Sequence, residues 1–249
     1  PQAHPLVRRL LARALLAALV ALLAASCSSV TRVAYDNAPF AAAWMVDDWF
    51  DLHDGQRDGV KERLARLHGW HRASEMPAYE RLLAATAARA ARGLSADDAR
   101  QVHREMRALW LRLVRRAIPD MAEFLLQLHP EQVVFLARKF DEDNERTVRE
   151  SVRGTPQERL ERRQKRFLER IEDWTGRLAP AQRDVVRARV AAMGDLTDEW
   201  LGDRRFRQSE TIALLRSKPT RAQLEAGLTR LLVESARPTA RRRRPRSRR

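Results

Sequence analysis

The chain of 249 residues holds one cysteine, two tyrosines and nine glycines, and aromatic residues make up only 6% of it. A single cysteine excludes an intramolecular disulfide and any cage of several thiolates around a metal. Stability must then come from burial. Few glycines and few β-branched runs argue against a fold of strands and tight turns. Ala, Leu, Arg and Glu are abundant instead, which is the composition of helix formers. The chain also has no glycine-rich phosphate loop, no serine nucleophile elbow and no His-Glu-x-x-His zinc motif. Without these signatures no enzymatic activity and no cofactor are expected.

What is present begins near the N-terminus. Arg8, Arg9 and Arg13 precede an uncharged run from Ala14 to Ala25, followed by Ser26 and Cys27. A basic n-region, an apolar stretch of roughly 7–15 residues and a small-residue exit make a secretory signal peptide. The run is too short for a membrane-crossing helix, which takes about 20 apolar residues. A cysteine at that exit resembles the acylation site of a bacterial lipoprotein signal, so residues 1–27 are read as the signal and Cys27 as the lipidated residue. The usual Leu three positions before the cysteine is replaced by Ala24, with Leu23 one step earlier. Unacylated, the same segment is an ordinary signal peptide or an uncleaved anchor. Ser28 stands where Asp commonly marks inner-membrane retention, which points to an outer-membrane protein facing the periplasm.

The net charge of +15 is terminal. Three arginines lie in the signal and eight from Arg237 onward, so the body between them is close to balanced. Residues 237–249 form an Arg-, Pro- and Ser-rich tail that has nothing to bury. Nucleic acid is not an expected partner outside the cytoplasm. Arg241, Arg242, Arg243, Arg244, Arg246, Arg248 and Arg249 suit anionic lipid or lipopolysaccharide phosphates, at about 1 kcal/mol for each cation near an anionic surface.

Residues 28–39 read as a tether and 40–236 as one helical periplasmic domain. The expected fold is an all-α, multi-helix bundle of short and medium helices. Helices are predicted over 41–52, 56–72, 77–93, 95–116, 119–128, 130–152, 156–178, 180–216 and 220–235, with apolar residues at spacings of three and four. In the segment 156–178, Leu160, Phe167 and Trp174 interleave in heptad fashion with Gln164, Ile171 and Leu178. Four helix starts share one spelling: Leu52…Gln56, Leu94…Asp98, Leu128…Gln132 and Leu178…Gln182. Pro130 and Pro180 fall where a missing N–H costs nothing, and the Gln or Asp can reach back to the preceding free N–H.

That spelling resembles the Leu-Thr-x-x-Gln motif of the Spy and CpxP periplasmic proteins, which implies a helical fold and chaperone-like holding of unfolded chains. A resemblance covering nearly the whole mature chain is carried by Cys27-Ser-Ser-Val, Ala34-Tyr-Asp-Asn37, Trp70-His-Arg72, Glu75-Met-Pro77 and Tyr79. Those residues resemble an uncharacterised family of proteobacterial lipoproteins, which implies location and helical fold but no activity.

Two groups could carry chemistry. Asp47, Asp51 and His53 sit in an acidic cluster, and His68 and His71 stand at the i, i+3 spacing of metal ligands on a helix. A metal-dependent enzyme of the envelope is the alternative that they support. A helix-end reading of the aspartates and a buried, hydrogen-bonded His71 account for the same residues without a metal. Partners expected of the non-enzymatic reading are the membrane, through the lipid, and unfolded or envelope proteins.

Overall fold

The computed structural model describes residues 31–234, and among them every regular element is helical. Residues 31–36 are helical, and nine α-helices follow. These are α1 Ala38–Phe50, α2 Asp54–Trp70, α3 Met76–Ala90, α4 Ala96–Leu125, α5 Pro130–Thr147, α6 Pro156–Thr175, α7 Pro180–Ala192, α8 Thr197–Arg216 and α9 Arg221–Leu228. Wide π-type turns continue the helical path at His71–Glu75, Val148–Val152 and Thr229–Glu234. The all-α reading holds.

All four helix starts of the shared spelling are capped as their chemistry demands. The carbonyl oxygens of the Gln56, Gln132 and Gln182 side chains accept from the backbone N–H groups of His53, His129 and Ala179 at 3.1, 3.0 and 2.9 Å. Asp98 accepts from Ser95 N–H at 3.0 Å, and the Ser95 hydroxyl accepts from Asp98 N–H at 3.1 Å. Thr155 with Glu158 and Thr220 with Gln223 form two further reciprocal boxes. Each satisfies N–H groups that a helix start leaves open.

Three features of the helices differ from expectation. Pro119 starts no new helix; it lies inside α4, which runs for 30 residues and is neither short nor medium. An internal proline costs about 3 kcal/mol, but Val114, Ile118, Ala122 and Leu125 are all buried on one stripe around it. The helix expected over 180–216 breaks into α7 and α8, because Gly194 takes φ +71° and Asp195 then accepts from Thr197 N–H at 3.0 Å. In α6 the core-facing residue is Leu168, while Trp174 is almost fully exposed and Phe167 also faces outward, against the heptad reading. Residues 31–36, within the segment read as a tether, are helical, and the Tyr35 carbonyl accepts from His68 of α2 at 3.1 Å.

The chain divides into two compact units. The first holds the described residues up to Asp48 together with Leu52–Leu109, and the second holds Trp49–Asp51 together with the residues from Trp110 onward. In the second, α6 packs on α7 and α5 on α8. Gly227 in α9 permits close approach there, since a Cβ at that position would stand 2.4 Å from a methyl carbon of Leu214. Edge-on packing of Phe50 against Phe124, at 5.2 Å between ring centres, and tilted packing of Trp49 against Phe140 at 5.6 Å tie the end of α1 into this unit. No described helix is long and apolar enough to cross a membrane.

Candidate functional site

Both tyrosines of the chain lie in the first unit, around two of the chain's six histidines. The Tyr35 ring lies 4.6 Å from the His68 ring and 5.9 Å from that of His71, and Tyr79 lies 5.5 Å from His71. His68 and His71 share a face because helical residues three apart are neighbours. Met76 N–H reaches back to His71 C=O across the π-type turn, and such turns within helices are frequent at functional sites. The turn ends on Glu75, which is only 5% exposed.

Hydrogen bonds assign the tautomers. The Tyr35 carbonyl can only accept, so Nε2 of His68, at 3.1 Å, carries the proton. Nδ1 of His71 stands 2.9 Å from the Tyr35 hydroxyl. Burial pushes the His71 pKa down, against the pull of Glu75 and with the help of His68, so the neutral ring accepts from the hydroxyl. Burial also raises the Tyr35 pKa, opposed by Arg72. Arg72 lies 6.0 Å above the Tyr35 ring and pairs with Asp36 at 3.0 Å. The segment of residues 31–37 is thereby clamped to α2 and the π-type turn that follows it by neutral hydrogen bonds, ring contacts and one ion pair. His71 is the partly buried, hydrogen-bonded histidine that its stripe position suggests.

The acidic cluster is dispersed into local roles. Asp47 accepts from Leu52 N–H at 3.1 Å and from the Arg57 guanidinium at 3.2 Å. Asp51 adopts φ +49° at the end of α1, and His53 precedes α2 as its N-cap. Asp47 and Asp51 fall in different units. Among the described residues no group of three or more His, Cys, Asp and Glu side chains is placed to hold a metal ion. Cys27 and the arginines from Arg241 to Arg249 lie outside the described residues.

Two features escaped the sequence reading. Gln132, only 2% exposed, does more than cap α5: its amide N–H groups donate to the carbonyls of Phe50 and Asp51, both at 3.0 Å. This holds Asp51 in its left-handed conformation. The second feature is a stripe on the N-terminal helical segment. Val33, Phe40 and Trp44 follow one another at helical spacing, with Met45 beside them, and Phe40 and Trp44 are 76% and 67% exposed. The cluster of aromatic residues in that segment was the only available signal, and it does not say which face is covered.

Fold and site together define an all-helical protein with an N-terminal segment clamped by a Tyr–His cluster and an apolar face left open. A family model described as "Family of unknown function (DUF6279)" matches residues 48–237, and the chain belongs to that family. The match covers His68, His71, Glu75 and Tyr79 and begins after Tyr35 and Asp36. No curated protein and no solved structure is significantly similar to the chain.

Proposed function

We propose that this protein is a proteobacterial lipoprotein, acylated on Cys27 and held on the periplasmic face of the outer membrane. Its helical body binds envelope proteins or unfolded chains and catalyses no reaction. The observation that supports this most is the open apolar stripe of Phe40, Trp44 and Met45, which begins 13 residues after Cys27. Large aromatic side chains on a rigid helix supply contact area at low entropic cost, which is how binding surfaces are built. The opposite face of that segment is fixed by the Tyr35–His68–His71 clamp, so the stripe is presented on a held element. The seven arginines from Arg241 to Arg249 add an electrostatic contact to anionic lipid or lipopolysaccharide. The four capped helix starts need no Spy-like role, because their hydrogen bonds alone explain the spelling.

Two measurements test the reading. Labelled palmitate should enter the wild-type protein and not Cys27→Ser; equal labelling of both overturns the anchor. The full-length lipoprotein in detergent should suppress aggregation of a denatured client at stoichiometric ratio. Phe40→Ser with Trp44→Ser should lose most of that effect, and a double variant as active as wild type removes the stripe from the mechanism.

A further inference from the structure

Beyond that reading, the second unit carries a groove of about 470 Å³ between the α4–α5 connection and the α8–α9 connection. Its lining includes Leu125, Leu128, Val133, Leu215 and Leu224. Leu126 and Val134 also line it, and they are 45% and 60% exposed. Arg216 and Lys218 stand on the same groove. Neither has an acidic partner among the described residues, in a unit where Arg159, Arg204 and Arg230 each bridge to a carboxylate. Pockets of about 300–1,000 Å³ that are mostly apolar with a few placed polar groups are the usual form of small-molecule sites.

The backbone adds a second observation. Helices α6 and α7 end on Gly176 and Gly194 at φ +75° and +71°. At the position after α8 that corresponds to Gly194 stands Lys218, at φ +51°. A side chain in this left-handed region is strained, and glycine is the usual residue there. Asp51, the other non-glycine residue in that conformation among the described residues, is held by Gln132. Lys218 ends α8, its N–H donating to Leu215 C=O at 3.4 Å, and a lysine in place of the usual glycine also sets a cation beside the apolar groove.

We infer that this groove binds a single-chain anionic amphiphile, a fatty-acid carboxylate, with its alkyl chain on the leucine and valine lining and its head group between Arg216 and Lys218. Charge complementarity selects this occupant: a cationic amphiphile is repelled, and so is the arginine-rich segment of this chain beyond residue 234. A second copy of the chain would bring two further cations to the same place.

Calorimetric titration of the full chain with dodecanoate, below its micelle concentration, tests the proposal. The expected result is a saturable site of one carboxylate per chain, with dodecyltrimethylammonium binding at least tenfold more weakly. Arg216→Ala with Lys218→Ala should weaken dodecanoate about tenfold or more. Val134→Glu changes an exposed residue, so the fold is retained while a carboxylate is placed beside the alkyl chain; it should abolish binding. Lys218→Gly should weaken binding while raising the thermal midpoint, a combination that a purely structural lysine would not give. No saturable binding, equal binding of both head groups, or binding unchanged in the groove variants each overturns the proposal. So does sedimentation showing a dimer that Val134→Glu dissociates, since the groove would then be covered by a second copy.

Discussion

The two units of this protein are held together by different chemistry. Among the described residues, the buried apolar side chains of the first are Leu52, Val60, Leu82 and Leu109, whereas the second has sixteen, from Val114 to Val233. At roughly 1.5–3 kcal/mol for each fully buried large aliphatic side chain, the hydrophobic contribution is several times greater in the second. The first relies instead on directed contacts: the Tyr35–His71 hydrogen bond, the His68 bond to Tyr35 C=O, and the Asp47–Arg57 and Asp36–Arg72 pairs. Surface ion pairs contribute little and neutral hydrogen bonds about 1 kcal/mol each. A region with few buried contacts opens locally at low free energy. The open Phe40–Trp44 stripe lies on the unit with the smaller core.

The strongest way to break this comparison is to cut the larger core. Leu136→Ala, at one of the most buried side chains of the chain, should cost about 2–5 kcal/mol. Hydrogen exchange should register the loss throughout the second unit. A loss confined to a few amides around α5 would mean that the sixteen buried side chains do not act as one core.

Next in size is Gln132→Glu, which keeps shape and cap acceptor but removes both donors to Phe50 and Asp51 C=O. Buried carbonyls left without donors cost about 1–3 kcal/mol, so thermal unfolding should show a loss of that order. An unchanged midpoint would assign the position of Asp51 to something other than Gln132.

Acid separates the units more gently. The His71 value lies below its ordinary 6.5 because burial disfavours the charged ring. The unfolded chain therefore takes up this proton first, and the stability tied to neutral His71 is full above pH 6.5 and declines as pH falls below it. In the second unit, burial works against ionisation of Asp195. Hydrogen bonds from Thr197 and Arg159 outweigh it and hold the carboxyl well below its ordinary 3.8. Its contribution is full above about pH 4 and is lost only under stronger acid. Protection factors of amides around 31–37 and 66–79 should thus fall between pH 7 and 5, while those of α6 to α8 stay constant. A parallel fall in both units would remove the distinction.

The smallest effect expected is that of Tyr35→Phe, about 1 kcal/mol from one neutral hydrogen bond. Exchange should rise in residues 31–37 without a change in the second unit. A global loss of stability would show that the clamp holds more than the N-terminal segment.

Much of this was legible in the sequence, because helix starts are local. A Gln or Asp at the third position, with Pro after the cap or Ser as the cap at three of the four starts, decides a helix N-terminus within four residues. For that reason Gln56, Asp98, Gln132 and Gln182 could be read as caps. His71 was read as a buried, hydrogen-bonded residue, since periodicity reports which side of a helix is apolar, and it is partly buried. Interruptions were less legible. Pro119 was overridden by the buried stripe through Ile118 and Ala122, and Gly194 ended a helix that Gly202, within α8, did not. Faces failed where apolar residues outnumber buried positions, as with Phe167 and Trp174 in α6.

The sequence by itself determined that the chain is helical and where most helices begin, because those outcomes depend on propensity and on hydrogen bonds only a few residues apart. Tertiary structure alone decided what the scarce and buried polar groups do. It brought Tyr35 and Tyr79 to His71, carried the Gln132 amide to carbonyls 81 and 82 residues away, and left Arg216 and Lys218 beside an apolar groove. Such partners are chosen by packing across the fold, and no spacing along the chain encodes them.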